Sequence, residues 1–179
     1  MLISREFMKQ IIKWMSIIGF AAVMAGCASG VNRKAGEASV ALTNKTVTTV
    51  QISLTDDAKK LVADNATFSV TALKNTIEEQ LRALDLIKPN AGQTMEISIK
   101  SFRARSAFAA IAFGIMAGND NIVGEMIIKD ATGKVLKSIE INASYALGGI
   151  AGGMTDTRMG WLYGEFAKLA AQELNGVSK

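Results

Sequence analysis

The chain of 179 residues has no histidine, one cysteine and one proline. Without histidine it lacks the most common general base and a common metal ligand, and with one cysteine it cannot form an internal disulfide. A serine nucleophile would need another base, but no serine is followed by lysine three residues later. The composition therefore predicts a protein that is not an enzyme and that holds neither a cofactor nor a metal.

Excess basic charge is also scarce once residues 1–26 are set aside. Those residues hold three of the 20 Lys and Arg and one of the 16 Asp and Glu, which leaves 17 basic and 15 acidic residues. No basic cluster in the remainder is longer than a pair, such as Arg33-Lys34. Because nucleic-acid binding depends on a concentrated positive surface, the sequence predicts no nucleic-acid partner.

The single cysteine lies at the end of a short apolar run near the N-terminus. The run, residues 14–24, follows three basic residues and is too short to span a bilayer as a helix. It leads into Val23-Met24-Ala25-Gly26-Cys27, a lipobox pattern, which predicts signal cleavage after Gly26 and lipidation of the Cys27 thiol. An ordinary secretory signal and an uncleaved anchor are the alternatives, and Met8 is an alternative start.

Ala28, the residue after the cysteine, indicates which membrane would hold the lipidated protein. In enteric-type bacteria a residue other than Asp at this position favours the outer membrane, so we expect a lipid-anchored protein that faces the periplasm from the outer membrane. The sequence accordingly divides into a signal peptide (1–26), a lipidated tether of small, polar and charged residues (27–37) and a single domain (38–179).

Periodic patterns predict one small α+β domain. Alternation of apolar and polar residues indicates strands near 48–54 and 95–99, and the turn at 130–134 indicates a hairpin. Helical spacing of apolar residues indicates helices over 67–86 and 155–174, with a short turn or helix after Thr55. The order strand, helix, strand, hairpin, helix predicts a small, mostly antiparallel sheet with two packed helices.

One stretch does not fit a routine domain. Ala107 to Gly118 is a run of twelve residues without a polar side chain, bounded by Arg103 and Arg105 on one side and by Asn119-Asp120 on the other. Such a run is typical of a buried strand or helix, and also of a surface that contacts lipid or another subunit. We expect it to be partly exposed in the isolated monomer. The candidate membrane or subunit contacts are Phe108, Ile111, Phe113, Gly114, Ile115 and Gly118.

Glycine spacing adds to this interpretation. Gly114 and Gly118 are four residues apart, a spacing that permits close contact between helices in lipid, and the glycine-rich stretch 148–153 repeats it. Near that stretch, Trp161 and Tyr163 are interpreted as covering the core, with contact to a membrane interface as the alternative.

Two pairs of adjacent carboxylates are candidates for acid–base groups. Asp56-Asp57 and Glu78-Glu79 are neighbours in sequence, and neighbours on a helix point apart, whereas an acid–base pair must converge on one substrate atom. We therefore interpret the first pair as a helix cap and the second as part of a solvated helix face.

A family resemblance rests on the lipobox, on Arg103-Ala104-Arg105 before the apolar run, on the hairpin 127–136, on the glycine-rich stretch and on the closing helix. Together these resemble the bacterial lipoprotein family catalogued as domain of unknown function 4410. The resemblance implies no activity and no catalytic residues. We expect a non-enzymatic envelope lipoprotein that acts as a binding or accessory module, with a protein or cell-wall partner or self-association. The alternative is a subunit of an oligomeric outer-membrane assembly or secretion complex that uses residues 107–118.

Overall fold

A computed structural model describes residues 29–33, 42–65, 67–147 and 154–176. These residues form an α+β fold with one five-stranded sheet. The strands are β1 (Gly30–Asn32), β2 (Thr49–Leu54), β3 (Gln93–Arg103), β4 (Asp120–Asp130) and β5 (Val135–Tyr145). The α-helices are α1 (Asp56–Asp64), α2 (Val70–Ala83), α3 (Ala107–Phe113) and α4 (Thr155–Asn175). Gly26, Cys27 and the glycine-rich stretch 148–153 lie outside the described residues.

The strands lie in the order β1-β5-β4-β3-β2. Neighbouring strands are antiparallel except β2 and β3, which are parallel because α1 and α2 lie between them in the chain and return it to the starting end. The sheet is thus mixed and mostly antiparallel, which confirms the predicted fold class. The hairpin between β4 and β5 turns at Gly133, whose φ of 85° is the left-handed conformation that favours glycine.

Helices α2 and α4 cover one face of the sheet. Of the apolar residues at helical spacing in the predicted helix 67–86, Leu73, Ile77 and Leu81 are fully buried, whereas Leu84, just beyond α2, is 47% exposed. In α4, Leu162 and Phe166 are buried as well. The hydroxyl of Ser69 caps α2 by accepting a hydrogen bond from the backbone nitrogen of Ala72 at 3.1 Å. These helices supply the core that their apolar spacing predicts.

Contact between α4 and the sheet depends on a small residue. At Gly124 in β4, a methyl group would lie 3.1 Å from both the ring of Phe166 and the side chain of Ile99. Glycine therefore lets the aromatic ring of α4 lie directly on the strand.

The opposite face of the sheet carries polar side chains, which alternate with the buried ones along β3, β4 and β5. Ion pairs cross the strands: Lys129 lies 2.6 Å from Glu96, and Lys100 lies 3.1 Å from both Glu125 and Glu140. We call this surface the open face.

Strand β1 lies within the stretch 27–37, whose composition suggests a tether. It pairs antiparallel with the edge of β5, with Gly30 opposite Asn142. Just after it, Arg33 lies 2.7 Å from the buried carboxylate of Glu173 in α4, which also accepts a hydrogen bond from Lys137 at 2.8 Å. Part of the expected tether is therefore attached to the domain.

Candidate functional site

The candidate contact segment connects β3 to β4 at one end of the sheet. It forms the short helix α3 followed by a 3-10 turn, Gly114–Ala117. The hydroxyl of Ser106 caps α3 by accepting a hydrogen bond from Ala109 at 3.1 Å. Gly114 ends the helix with a φ of 53°, and Gly118 leaves the turn with a φ of 86°, conformations that other residues rarely adopt.

In the described fold, the four-residue spacing of Gly114 and Gly118 does not lie on one continuous helix. A small-residue stripe needs both glycines on one continuous helix. Here Gly114 caps α3 and Gly118 lies beyond the 3-10 turn, so each serves to change the direction of the backbone.

Most apolar side chains of the segment face solvent. Phe108 is 73% exposed, Phe113 56% and Met116 89%, whereas Ala110 is fully buried. The rings of Phe108 and Phe113 pack edge to face, with centroids 6.1 Å apart. The side chain of Ile115 lies outside the described part of the structure. The segment is thus partly exposed in the monomer, and its one buried side chain among the described ones is the small Ala110.

Other large apolar side chains are exposed at the same end. Leu147 lies two residues beyond the end of β5, and Met154 lies directly before α4. In the first turns of α4, the ring of Trp161 packs against that of Tyr145, with centroids 5.0 Å apart. We call this group the apolar cap. Its members are Phe108, Ile111, Phe113, Met116, Leu147, Met154 and Trp161.

A buried arginine, Arg105, organises the backbone beneath the apolar cap. Its guanidinium donates to the carbonyl oxygens of Gly114 at 2.7 Å and Gly118 at 2.9 Å, on the α3 segment. It also donates to the carbonyls of Ala146 at 3.2 Å and Leu147 at 3.0 Å, beyond the end of β5. One side chain thereby holds both connections in place.

Asp120, the first residue of β4, neutralises this arginine. It is fully buried and accepts hydrogen bonds from the Arg105 backbone nitrogen at 2.6 Å and from the Arg105 guanidinium at 3.0 Å. A second arginine, Arg158 of α4, donates to both carboxylate oxygens at 2.8 Å. Burial alone would raise the pKa of Asp120, but the hydrogen bonds from Arg105 and Arg158 and the charge of Arg158 outweigh it and lower this pKa.

The cluster Arg105–Asp120–Arg158 is built for structure rather than catalysis. All three side chains are buried, so a substrate has no access to the carboxylate. The Arg158 guanidinium also donates to the Arg105 carbonyl at 3.0 Å, which links the start of α4 to the end of β3. In the sequence, Arg105 and Asp120 are recognisable only as residues that bound the apolar run. No sequence motif indicates Arg158 as their partner.

Arg103, the other predicted border residue, remains exposed. Its guanidinium donates to the carbonyl of Ala117 at 3.3 Å and to that of Asn119. The carbonyls at the end of the apolar segment are thus paired by this second arginine.

The adjacent carboxylates do not converge on a common site. Asp56 and Asp57 occupy the first turn of α1, where they pair with Lys59 and Lys60 at 2.8 and 3.3 Å. Glu78 lies 2.8 Å from Arg82 along α2. Within the described ranges, no group of three or more acidic or cysteine side chains is placed to hold a metal ion.

The two aromatic residues of α4 differ in their surroundings. Tyr163 is buried, and its hydroxyl accepts a hydrogen bond from the Ser69 backbone nitrogen at 2.7 Å; burial raises its pKa. Trp161 remains 42% exposed in the apolar cap. No helix in the described part of the chain is both long and apolar enough to cross a bilayer.

Comparison with known proteins identifies the family. Residues 33–149 match the family described as domain of unknown function (DUF4410). The chain belongs to this family. No curated protein matches it in sequence.

Solved structures of the PelC dodecamer from Paraburkholderia phytofirmans are similar to this DUF4410 protein. A point variant of PelC has 15% sequence identity and a TM-score of 0.42, and the match covers 79% of this chain and 99% of that one. A second PelC structure has 14% identity and a TM-score of 0.40, with 78% and 98% covered.

Proposed function

We propose that this protein is a lipoprotein of the outer membrane that faces the periplasm and acts as a non-enzymatic binding or accessory module. The lipobox at residues 23–27 motivates the anchor. The observation that carries the proposal is the position of Ser29, two residues after Cys27. Its hydroxyl donates to the carbonyl of Ser144 at 3.3 Å and accepts from the nitrogen of Ser144 at 3.0 Å. The chain thus enters the domain beside the apolar cap.

The open face supports a role in binding a macromolecule. Its charges are paired in both signs across the strands, which suits a polar protein or cell-wall surface better than a polyanion. A cavity of about 130 Å³ lies on this face, lined by Lys100, Glu125 and Glu140 among others. Small-molecule sites usually have volumes of about 300–1,000 Å³, so a surface contact is the better fit here.

A second candidate function is that of a subunit in an oligomeric outer-membrane assembly or secretion complex. The exposure of Phe113 and Met116 favours it, because large apolar side chains clustered on a surface often become buried in an interface. Under this proposal, neighbouring copies cover the apolar cap.

Replacing Cys27 tests the anchor. In cells labelled with palmitate, we expect the parent protein to carry the label and fractionate with the outer membrane, and Cys27→Ala to remain an unlabelled, uncleaved precursor. Ala28→Asp should move the lipidated protein to the inner membrane, whereas the matched variant Ala28→Ser should stay in the outer membrane. Identical cleavage and fractionation of Cys27→Ala and parent, with no label in either, would refute the proposal.

A further inference from the structure

We propose that the apolar cap inserts into the membrane leaflet that holds the lipid of Cys27. The inference rests on the proposed lipid anchor and adds to it a defined orientation of the domain. The cap contacts the lipid bilayer itself, so its apolar side chains add to the membrane binding that the acyl chains on Cys27 provide.

The distribution of exposed apolar side chains favours one contact surface. Seven of the ten large apolar side chains that the described residues expose belong to the apolar cap. The other three, Leu61, Leu84 and Val135, belong to α1, the end of α2 and the hairpin end of β5. Scattered apolar residues are normal on a protein surface, whereas a cluster at one end indicates a contact site.

The length of chain before Ser29 determines what the cluster contacts. Only one residue separates Cys27 from Ser29, and a chain spans at most about 3.6 Å per residue, so a lipid on Cys27 starts within about 7 Å of Ser29. The hydroxyl of Ser29 accepts a hydrogen bond from the backbone nitrogen of Ser144. The next residue, Tyr145, contacts Trp161 of the apolar cap through its ring. The acyl chains must therefore leave the protein at the end that bears the cap.

Hydrogen bonds from arginine side chains to backbone carbonyls make insertion of the cap feasible. A carbonyl that enters an apolar medium without a hydrogen-bond partner costs several kcal/mol. The carbonyls of Gly114 and Gly118 are paired with Arg105, and those of Ala117 and Asn119 with Arg103. The turn that carries Met116 can thus enter the boundary between headgroups and acyl chains without exposing unpaired carbonyls at these positions.

The chain offers a convenient fluorescent probe. Its two tryptophans are Trp14, in the predicted signal, and Trp161, in the apolar cap, so the processed protein has a single tryptophan. We would place the purified lipidated protein in vesicles of phosphatidylethanolamine and phosphatidylglycerol, with or without lipid brominated near the carbonyl end of its acyl chains. Bromine quenches tryptophan only at short range.

Three proteins are compared in these vesicles: the parent, Trp161→Phe with Met116→Trp, and Trp161→Phe with Val135→Trp. Val135 is 51% exposed at the opposite end of the sheet and serves as the matched control. We expect brominated lipid to remove most of the fluorescence at position 116 and part of it at position 161, and to leave position 135 unchanged. Circular dichroism establishes that each variant is folded.

Equal quenching by brominated lipid at positions 116 and 135 would overturn cap insertion. So would a lipidated oligomer that dissociates in Phe113→Asp while position 116 escapes quenching, since the cap would then be a subunit interface. The mass of the N-terminal peptide separates these failures from failure of the anchor. Unmodified Cys27 refutes the anchor and the insertion that depends on it, whereas acylated Cys27 without quenching refutes insertion alone.

Discussion

Both carboxylate oxygens of Asp120 lie 2.8 Å from the same guanidinium nitrogen, Nη1, of Arg158. This buried ion pair joins the first residue of β4 to the first turns of α4. Because Asp120 also accepts hydrogen bonds from Arg105, one carboxylate holds three parts of the chain together beneath the apolar cap.

Removing this carboxylate should strongly destabilise the fold. In Asp120→Ala the two buried guanidinium groups lose the carboxylate that lies between them, and breaking a buried ion pair in this way typically costs about 3–5 kcal/mol. Urea unfolding of the purified protein at neutral pH measures the loss. Lys60→Ala is the control, because it breaks a pair with Asp57 in which both side chains are largely exposed, and it should cost at most about 1 kcal/mol. Equal losses in the two variants would contradict the structural role of the cluster.

The stability of the protein should fall in acid. The pKa of Asp120 is lowered from its ordinary value of 3.8, so in the unfolded chain this carboxylate binds protons at a higher pH than in the folded one. Its contribution is therefore complete above pH 3.8 and is lost as the pH falls through the lower, folded pKa. Urea midpoints measured from neutral pH downward should decrease below about pH 4. The acid-dependent decrease should be smaller in Asp120→Asn, and an identical pH profile would contradict the assignment.

The two large helices should carry much of the core energy. Leu81 of α2 and Phe166 of α4 are fully buried, and replacing either by Ala should cost about 2–5 kcal/mol. We also expect a soluble chain that starts at Ala28 to fold as a monomer, which provides a convenient sample for thermal unfolding. Leu84→Ala is the control, since that side chain is 47% exposed. Unchanged melting of both core variants would show that these helices do not pack as described.

Close packing at Gly124 should make this position intolerant of larger side chains. A methyl group added there would lie 3.1 Å from Phe166, so Gly124→Val should force the ring and the strand apart at a cost of about 1–3 kcal/mol. Combining it with Phe166→Leu should recover part of the loss, because the smaller side chain leaves room. A double variant whose loss equals the sum of the single losses would show that the two sites do not interact.

Local patterns were sufficient to predict much of the fold. The spacing of Leu73, Ile77 and Leu81 predicted α2, and the turn around Gly133 predicted the hairpin, because both signals arise within a few turns or residues of chain. Strand β1 was missed because three residues are too few to show an alternating pattern.

The site was harder to predict, because its interactions join distant residues. Arg105 and Asp120 are 15 positions apart, and Asp120 and Arg158 are 38 apart, so no spacing rule connects them. Partial exposure of residues 107–118 was expected, but the side chains that face solvent could not be assigned, since an all-apolar run has no polar face to show which side meets solvent. Its small residue Ala110 turned out to face the protein, whereas Phe108 and Met116 face outward.

The most direct test of the membrane-facing orientation is photocrosslinking in intact envelopes. A photoreactive amino acid replaces Met116 in the apolar cap or Val135 at the hairpin end, and the adducts are identified by mass spectrometry. We predict that position 116 reacts with phospholipid and that position 135 does not. Adducts at position 116 that contain a second copy of the chain or another protein, with no lipid, would contradict the account.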